Sequence, residues 1–195
     1  MLILASTSPY RRELLARLGL PFEIQRPDVD EAALPGEQAA ALAERLALAK
    51  ARAVAQAHPQ AVVIGSDQVC RAGSRLLGKP GTVAAACAQL AALSGGEAEF
   101  LTAVCVIDGP QARTLQVMVP TTVRFRALST SQITRYVESE QPLDCAGSFK
   151  AEGLGIALFD SLRSDDPTAL IGLPLIALTR CLREFGLDPL GDSGD

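Results

Sequence analysis

Apolar residues follow two rhythms along this chain. Short unbroken runs at Leu2–Ala5 and Ala61–Ile64 read as strands buried on both faces. Longer stretches, with apolar positions three and four apart, read as helices. The first runs from Pro9 to about Leu18, opened by the proline and ended by Gly19 and Pro21. The second spans Gly36–Ala57 and stops at His58-Pro59. Thr82 caps a third that ends before Ser94-Gly95-Gly96. Ser129 with Gln132 makes a capping box for a fourth, to about Ser139, and Pro174–Phe185 is an amphipathic fifth closed by Gly186. Phe22–Gln25 reads as a further strand. Glu97–Phe125, rich in Val and Thr, reads as antiparallel strands turning at Asp108-Gly109-Pro110. Ala151–Phe159 reads as extended. This order predicts an α/β fold with a mixed sheet, one domain over residues 1–190, and a frayed polar tail over 191–195.

Composition narrows the class. Of 195 residues, 48% are hydrophobic and 21% charged, which is ordinary for a globular protein. The net charge of −4 argues against a general partner of nucleic-acid polymers but leaves room for a small anionic ligand in a locally basic cleft. No stretch is long enough to cross a membrane, and the basic residues follow the first apolar run rather than precede it. A cytoplasmic protein is the expectation. Cys70, Cys87, Cys105, Cys145 and Cys181 are odd in number and never form CxxC, which suits reduced, buried thiols.

Common chemistries fail on inspection. The single histidine, His58, sits beside a proline at a helix end, so neither a Ser-His-Asp triad nor a histidine-rich metal site is expected. Gly73–Pro80, GSRLLGKP, comes close to a phosphate-binding loop but ends in Pro80 where a hydroxyl would hold magnesium. Gly153-Leu154-Gly155 lacks the third glycine of a dinucleotide fingerprint, with Leu158 in its place, and reads as structural.

Three signals remain. At Ser6-Thr7-Ser8-Pro9-Tyr10-Arg11, a strand ends, hydroxyl residues follow, and a helix begins with arginine in its first turn. Backbone N–H groups there attract anions, and Ser6, Ser8 and Arg11 could join them on a phosphate. Ser8 reads equally well as a plain helix cap. At Ile64-Gly65-Ser66-Asp67-Gln68, a carboxylate stands at the carboxyl end of a buried strand, where α/β sheets place ligands. It suits a divalent metal or a proton acceptor, and also a simple turn aspartate. Finally, only Lys50, Lys79 and Lys150 are lysines among 18 basic residues, a weak pointer to places that need a compact ammonium.

Taken in order, LASTSPYRRELL, PDVDE at Pro27–Glu31, LALAKARAV, IGSDQV, GKP, CAGSFKAEGLGI and IGLPLIAL resemble the Maf family of nucleoside triphosphate pyrophosphatases over nearly the whole chain. The resemblance implies an elongated α/β fold in two lobes with a central cleft, similar to the inosine triphosphate pyrophosphatases. It implies Asp67 as catalytic proton acceptor; Arg11, Lys50 and Lys79 on the triphosphate; and Glu31 with Asp67 on magnesium or manganese. Cleavage between the α and β phosphates would release pyrophosphate.

Within the family, Tyr10, Gln68 and Glu152 resemble the branch that acts on 7-methyl-GTP. The dTTP/UTP branch has arginine, threonine and a glutamine turn at these places. Methylated guanine is cationic, so an aromatic face at Tyr10 and an acceptor at Glu152 suit it; a packing tyrosine and a solvated glutamate are the plainer alternative. The expected partner is a small nucleotide, with no membrane and no nucleic-acid polymer, and a homodimer is left open. The competing expectations are dTTP/UTP hydrolysis and a non-enzymatic nucleotide-binding regulator of cell division.

Overall fold

The computed structural model describes residues 1–191. Of the tail expected at 191–195, all but Gly191 lies outside the described residues. The helices are α1 (Pro9–Ala16), α2 (Ala39–Ala57), α3 (Val83–Leu93), α4 (Thr130–Glu140) and α5 (Leu175–Arg183). The strands are β1 (Leu2–Ala5), β2 (Glu23–Gln25), β3 (Val62–Ala72), β4 (Arg75–Leu77), β5 (Glu97–Asp108), β6 (Arg113–Phe125) and β7 (Phe159–Ser164). They form one mixed sheet in the order β2-β1-β3-β5-β6-β7, with β4 paired to β3. β1 runs parallel to both β2 and β3, while β3–β4 and β6–β7 are antiparallel.

The chain forms two compact units. Residues 1–68, 102–119 and 166–191 make the first. Its core joins Leu2 and Leu4 of β1, Leu14 and Leu15 of α1, Ile64 of β3, Val104 and Val106 of β5, and Leu178 and Leu182 of α5. Each fully buried leucine contributes roughly 1.5–3 kcal/mol of transfer free energy. The second unit holds 69–101 and 120–165. Its centre is a chain of edge-to-face rings, Phe100–Phe149, Phe125–Phe149, Phe125–Phe159 and Phe149–Phe159, with centroids 4.8–5.6 Å apart.

Local signals explain most boundaries. Ser8 accepts from the Arg11 amide, Thr82 from that of Ala85, and Ser129 with Gln132 closes the capping box on α4. Two expectations are corrected. The strand expected to stop at Ile64 continues to Ala72, so Asp67 lies mid-strand. The polar run Ser66-Asp67-Gln68 breaks the apolar signal while the backbone ladder carries on. The stretch expected as extended over Ala151–Phe159 is a turn followed by a 310 helix at Leu154–Leu158. Glu140 accepts from the Leu154 amide, and Gly155 lies against the Lys150 backbone, which coils the segment. Strand formation is deferred to β7, whose exposed FDSLRS gives no alternation to read. The GSRLLGKP stretch is a hairpin: Gly73-Ser74 links β3 to β4, with Ala72 opposite Arg75.

All five cysteines are free thiols. Burial pushes Cys70 and Cys105 up to about 12, so at pH 8 about one molecule in 10⁴ carries either thiolate. Iodoacetamide at pH 8 is therefore expected to leave Cys70 and Cys105 unmodified in the native protein, with Cys87 and Cys145 reacting first. The same reagent in 6 M guanidinium should reach all five. Mass-spectrometric mapping reads the difference, and rapid native labelling of Cys70 would contradict the packing described.

Candidate active site

The site begins with a mismatch in strand length. β1 ends at Ala5, opposite Gly65 of the longer β3. Asp67 therefore lies just past the carboxyl end of its parallel neighbour, although β3 itself continues.

α2 packs on β3 at this level. An added Cβ on Gly65 would fall 2.6 Å from the Ala51 amide nitrogen, and also against the Ala47 carbonyl. This close approach carries Lys50, on the same turn of α2, to Asp67. Lys50 Nζ donates to Asp67 Oδ1 at 2.7 Å and meets Glu31 Oε1 at 2.6 Å. Lys50 and Asp67 are both buried, whereas the Glu31 side chain is 59% exposed. Two carboxylates thus bracket one ammonium. Removing one partner of such a buried pair costs about 3–5 kcal/mol, because the other is left uncompensated.

Glu31 belongs to a segment that is itself tied down. Arg45 of α2 donates to both carboxylate oxygens of Glu37 and to the Ala32 carbonyl, and Glu37 Oε2 accepts from the Leu34 amide. Those donors, Arg45 foremost, hold the Glu37 carboxyl down at about 2. The loop before α2 therefore keeps its ties at neutral pH.

At the start of α1, the buried Ser6 Oγ accepts from the Ser8 amide, and Ser8 Oγ caps the helix at the Arg11 amide. Both hydroxyls are thus engaged locally. Arg11 Nε donates to the Gly172 carbonyl at 2.8 Å. Burial pulls the Arg11 guanidinium below its ordinary pKa, opposed by the charges of Asp67 and Glu31. Arg11, Lys50, Asp67 and Glu31 therefore share one electrostatic neighbourhood. Gln68, next on β3, directs its amide nitrogen to Thr102 Oγ1 and to the Ala169 and Leu170 carbonyls at 2.9–3.1 Å.

Tyr10 is half-buried beside Arg11 on α1. Lys79 and Glu152 belong to the second unit. Lys79 is exposed in the loop after β4, and Glu152 is exposed in the turn that follows Lys150. Lys150 is a structural lysine: its Nζ donates to the Glu140 carbonyl and its amide to Tyr136 Oη.

Sequence reasoning missed Ser66, Thr102, Asp166 and Gly172. Ser66 Oγ is placed to donate to the Ala103 and Gly172 carbonyls. Asp166 accepts from the Ile176 and Ala177 amides that open α5, and from Thr168. The signal that could have found Asp166 is Asp-x-Thr placed before a helix start, a local acceptor pattern.

Among the described residues, no three His, Cys, Asp or Glu side chains gather as a ready-made metal cage. Glu31 and Asp67 nevertheless suit magnesium or manganese, which takes one or two carboxylates and completes its shell with water and substrate phosphate.

Among the described residues no helix is long and apolar enough to cross a membrane. A 7-methyl-GTP pyrophosphatase of Aromatoleum aromaticum is 60% identical over 189 residues, covering 95% of this chain and 96% of the relative. Proteins of the same name from Bordetella pertussis (58%, covering 97% and 94%) and Xanthomonas oryzae pv. oryzae (60%, covering 95% and 96%) are similarly close. The Ham1 protein of Staphylococcus aureus aligns at 16% identity and a TM-score of 0.47, over 79% of this chain and 88% of that one. The sequence model of the Maf-like proteins matches residues 1–185, which takes in Arg11, Lys50, Asp67 and every other candidate residue above, and the chain belongs to that family.

Proposed function

We propose that this protein hydrolyses 7-methyl-GTP to 7-methyl-GMP and diphosphate. The observation that carries the reading is the Asp67–Lys50–Glu31 cluster, held at 2.6–2.7 Å, with Arg11 in the same field. Relatives at 58–60% identity that carry this activity in their name support the choice of base.

In this reading Asp67 takes the proton of the attacking water. Lys50 holds Asp67 in place through their 2.7 Å contact, and bears on the phosphate chain as a point charge. Arg11 forks onto a phosphate at the start of α1. The family resemblance adds Lys79 as a further phosphate-binding cation, and Tyr10 and Glu152 as residues that select the base. Glu31 and Asp67 would hold a magnesium or manganese ion, which supplies charge neutralisation for the leaving pyrophosphate. Solvent-exposed Glu31 can turn from Lys50 toward such an ion while the buried ammonium keeps Asp67 as its partner. The same reading puts the reaction in the cytoplasm.

The test is pyrophosphate release from 7-methyl-GTP, GTP and UTP, with magnesium or manganese, by wild type and Glu152→Gln. Wild type is expected to favour 7-methyl-GTP. The mutant should lose about 1–3 kcal/mol of that preference, the scale of one hydrogen bond to a charged group. A preference for UTP would move the protein to the pyrimidine branch. Binding without turnover would make it a regulator.

A further inference from the structure

Residues 166–172 are tied to the candidate site at several points, with partners on β3, β5 and α1. Gln68 Nε2 carries two hydrogens and faces three acceptors: Thr102 Oγ1 at 2.9 Å, Ala169 O at 2.9 Å and Leu170 O at 3.1 Å. The two carbonyls can only accept, which fixes the amide's orientation. Thr102 Oγ1, itself fully buried, donates to the same Ala169 carbonyl at 2.9 Å. The Gly172 amide then closes back on Ala169 O at 3.0 Å. Gly172 has φ +118, a left-handed conformation that L side chains rarely adopt. That conformation directs its carbonyl to two donors, Ser66 Oγ at 3.0 Å and Arg11 Nε at 2.8 Å.

We propose that the Ala169–Gly172 turn is the element that aims Arg11, and that Gln68 is a positioning residue acting on the phosphate end of the substrate through this turn. With Nε anchored on Gly172 O, the guanidinium plane is fixed, and its two terminal nitrogens form the edge that forks onto phosphate. Gln68 has no hydrogen left on its amide nitrogen for a base. Loss of its donors loosens the turn, the Gly172 carbonyl drifts, and Arg11 loses its aim. The consequence is a loss of rate that is the same for every base. The inference rests on the proposed pyrophosphatase reading and departs from the expectation that Gln68 selects the base.

The experiment is a double-mutant cycle of Gln68→Met with Arg11→Lys, read as kcat/KM for pyrophosphate release from 7-methyl-GTP, GTP and UTP. Gln68→Met keeps the side-chain length and removes both donors. In the wild-type background it is expected to lower kcat/KM by about 10- to 100-fold on all three substrates alike, the scale of a misplaced catalytic group. In the Arg11→Lys background, where the Nε anchor is gone, the same change should have little further effect. Hydrogen exchange should quicken at residues 170–172 and stay unchanged in α3 and α4.

Thr102→Val, which removes one donor to the same carbonyl, should repeat the pattern more weakly, and it carries the cycle if Gln68→Met fails to fold by circular dichroism. A loss confined to one base, or the same factor in both Arg11 backgrounds, overturns the inference and leaves the pyrophosphatase reading standing. A wild type that prefers UTP overturns the choice of base, while the cycle still decides on UTP. A wild type with no turnover on any of the three ends both.

Discussion

Pyrophosphate release by Asp67→Asn falls by about 10²- to 10⁴-fold, the range supplied by a positioned general base. Asparagine keeps the shape of the side chain and one carbonyl oxygen to accept from Lys50 Nζ, which sits at 2.7 Å in the native protein. Glu31 remains as a charged partner for the ammonium. The fold therefore survives, and what is lost is the proposed proton acceptor. The comparison that isolates this is Lys50→Met, which leaves the buried Asp67 without its ammonium and so costs both activity and about 3–5 kcal/mol of stability. Steady-state kinetics with thermal melts on both variants separates the two effects. Turnover of Asp67→Asn within threefold of wild type removes Asp67 from the chemistry.

The second large effect is on stability. Gly65→Ala puts a methyl group against the Ala47 carbonyl and 2.6 Å from the Ala51 amide nitrogen, both backbone atoms of α2 that cannot rotate away. The helix must lift from β3, which costs about 1–3 kcal/mol or more, as for other overpacked sites. For a chain of this size that corresponds to a fall in Tm of roughly 2–12 °C. Lys50 lies between Ala47 and Ala51 and moves with the helix, so activity falls with stability. A calorimetric Tm equal to that of wild type would show that α2 does not bear on Gly65 as described.

Much of this was legible in the chain. The helices announced themselves through caps, with Ser8, Thr82 and Ser129 each found at the expected N-terminus. The grouping of Lys50, Asp67 and Glu31 came from resemblance rather than spacing. These residues are drawn from a loop, a helix and a strand, and no local rule joins them. The extent of β3 was hidden because polar side chains at Ser66, Asp67 and Gln68 interrupt its apolar run, yet two of the three are buried and serve the site. The role of Gly65 was also hidden, since a missing side chain says nothing until the helix above it is known. Gly172, Thr102 and Ser66 escaped because their task is to offer one carbonyl or one hydroxyl to residues far away in sequence.

That separation has a consequence for how the molecule is made. Arg11 is synthesised 161 residues ahead of the carbonyl that steadies it. The helix that seals its core, Leu175–Arg183, comes later still. A nascent chain lacking this last stretch has Arg11 without its carbonyl anchor and its first strand without a lid. Productive folding of the first unit must therefore await synthesis of α5, and until then Leu2, Leu4, Leu14 and Leu15 are exposed apolar surface for a chaperone to cover.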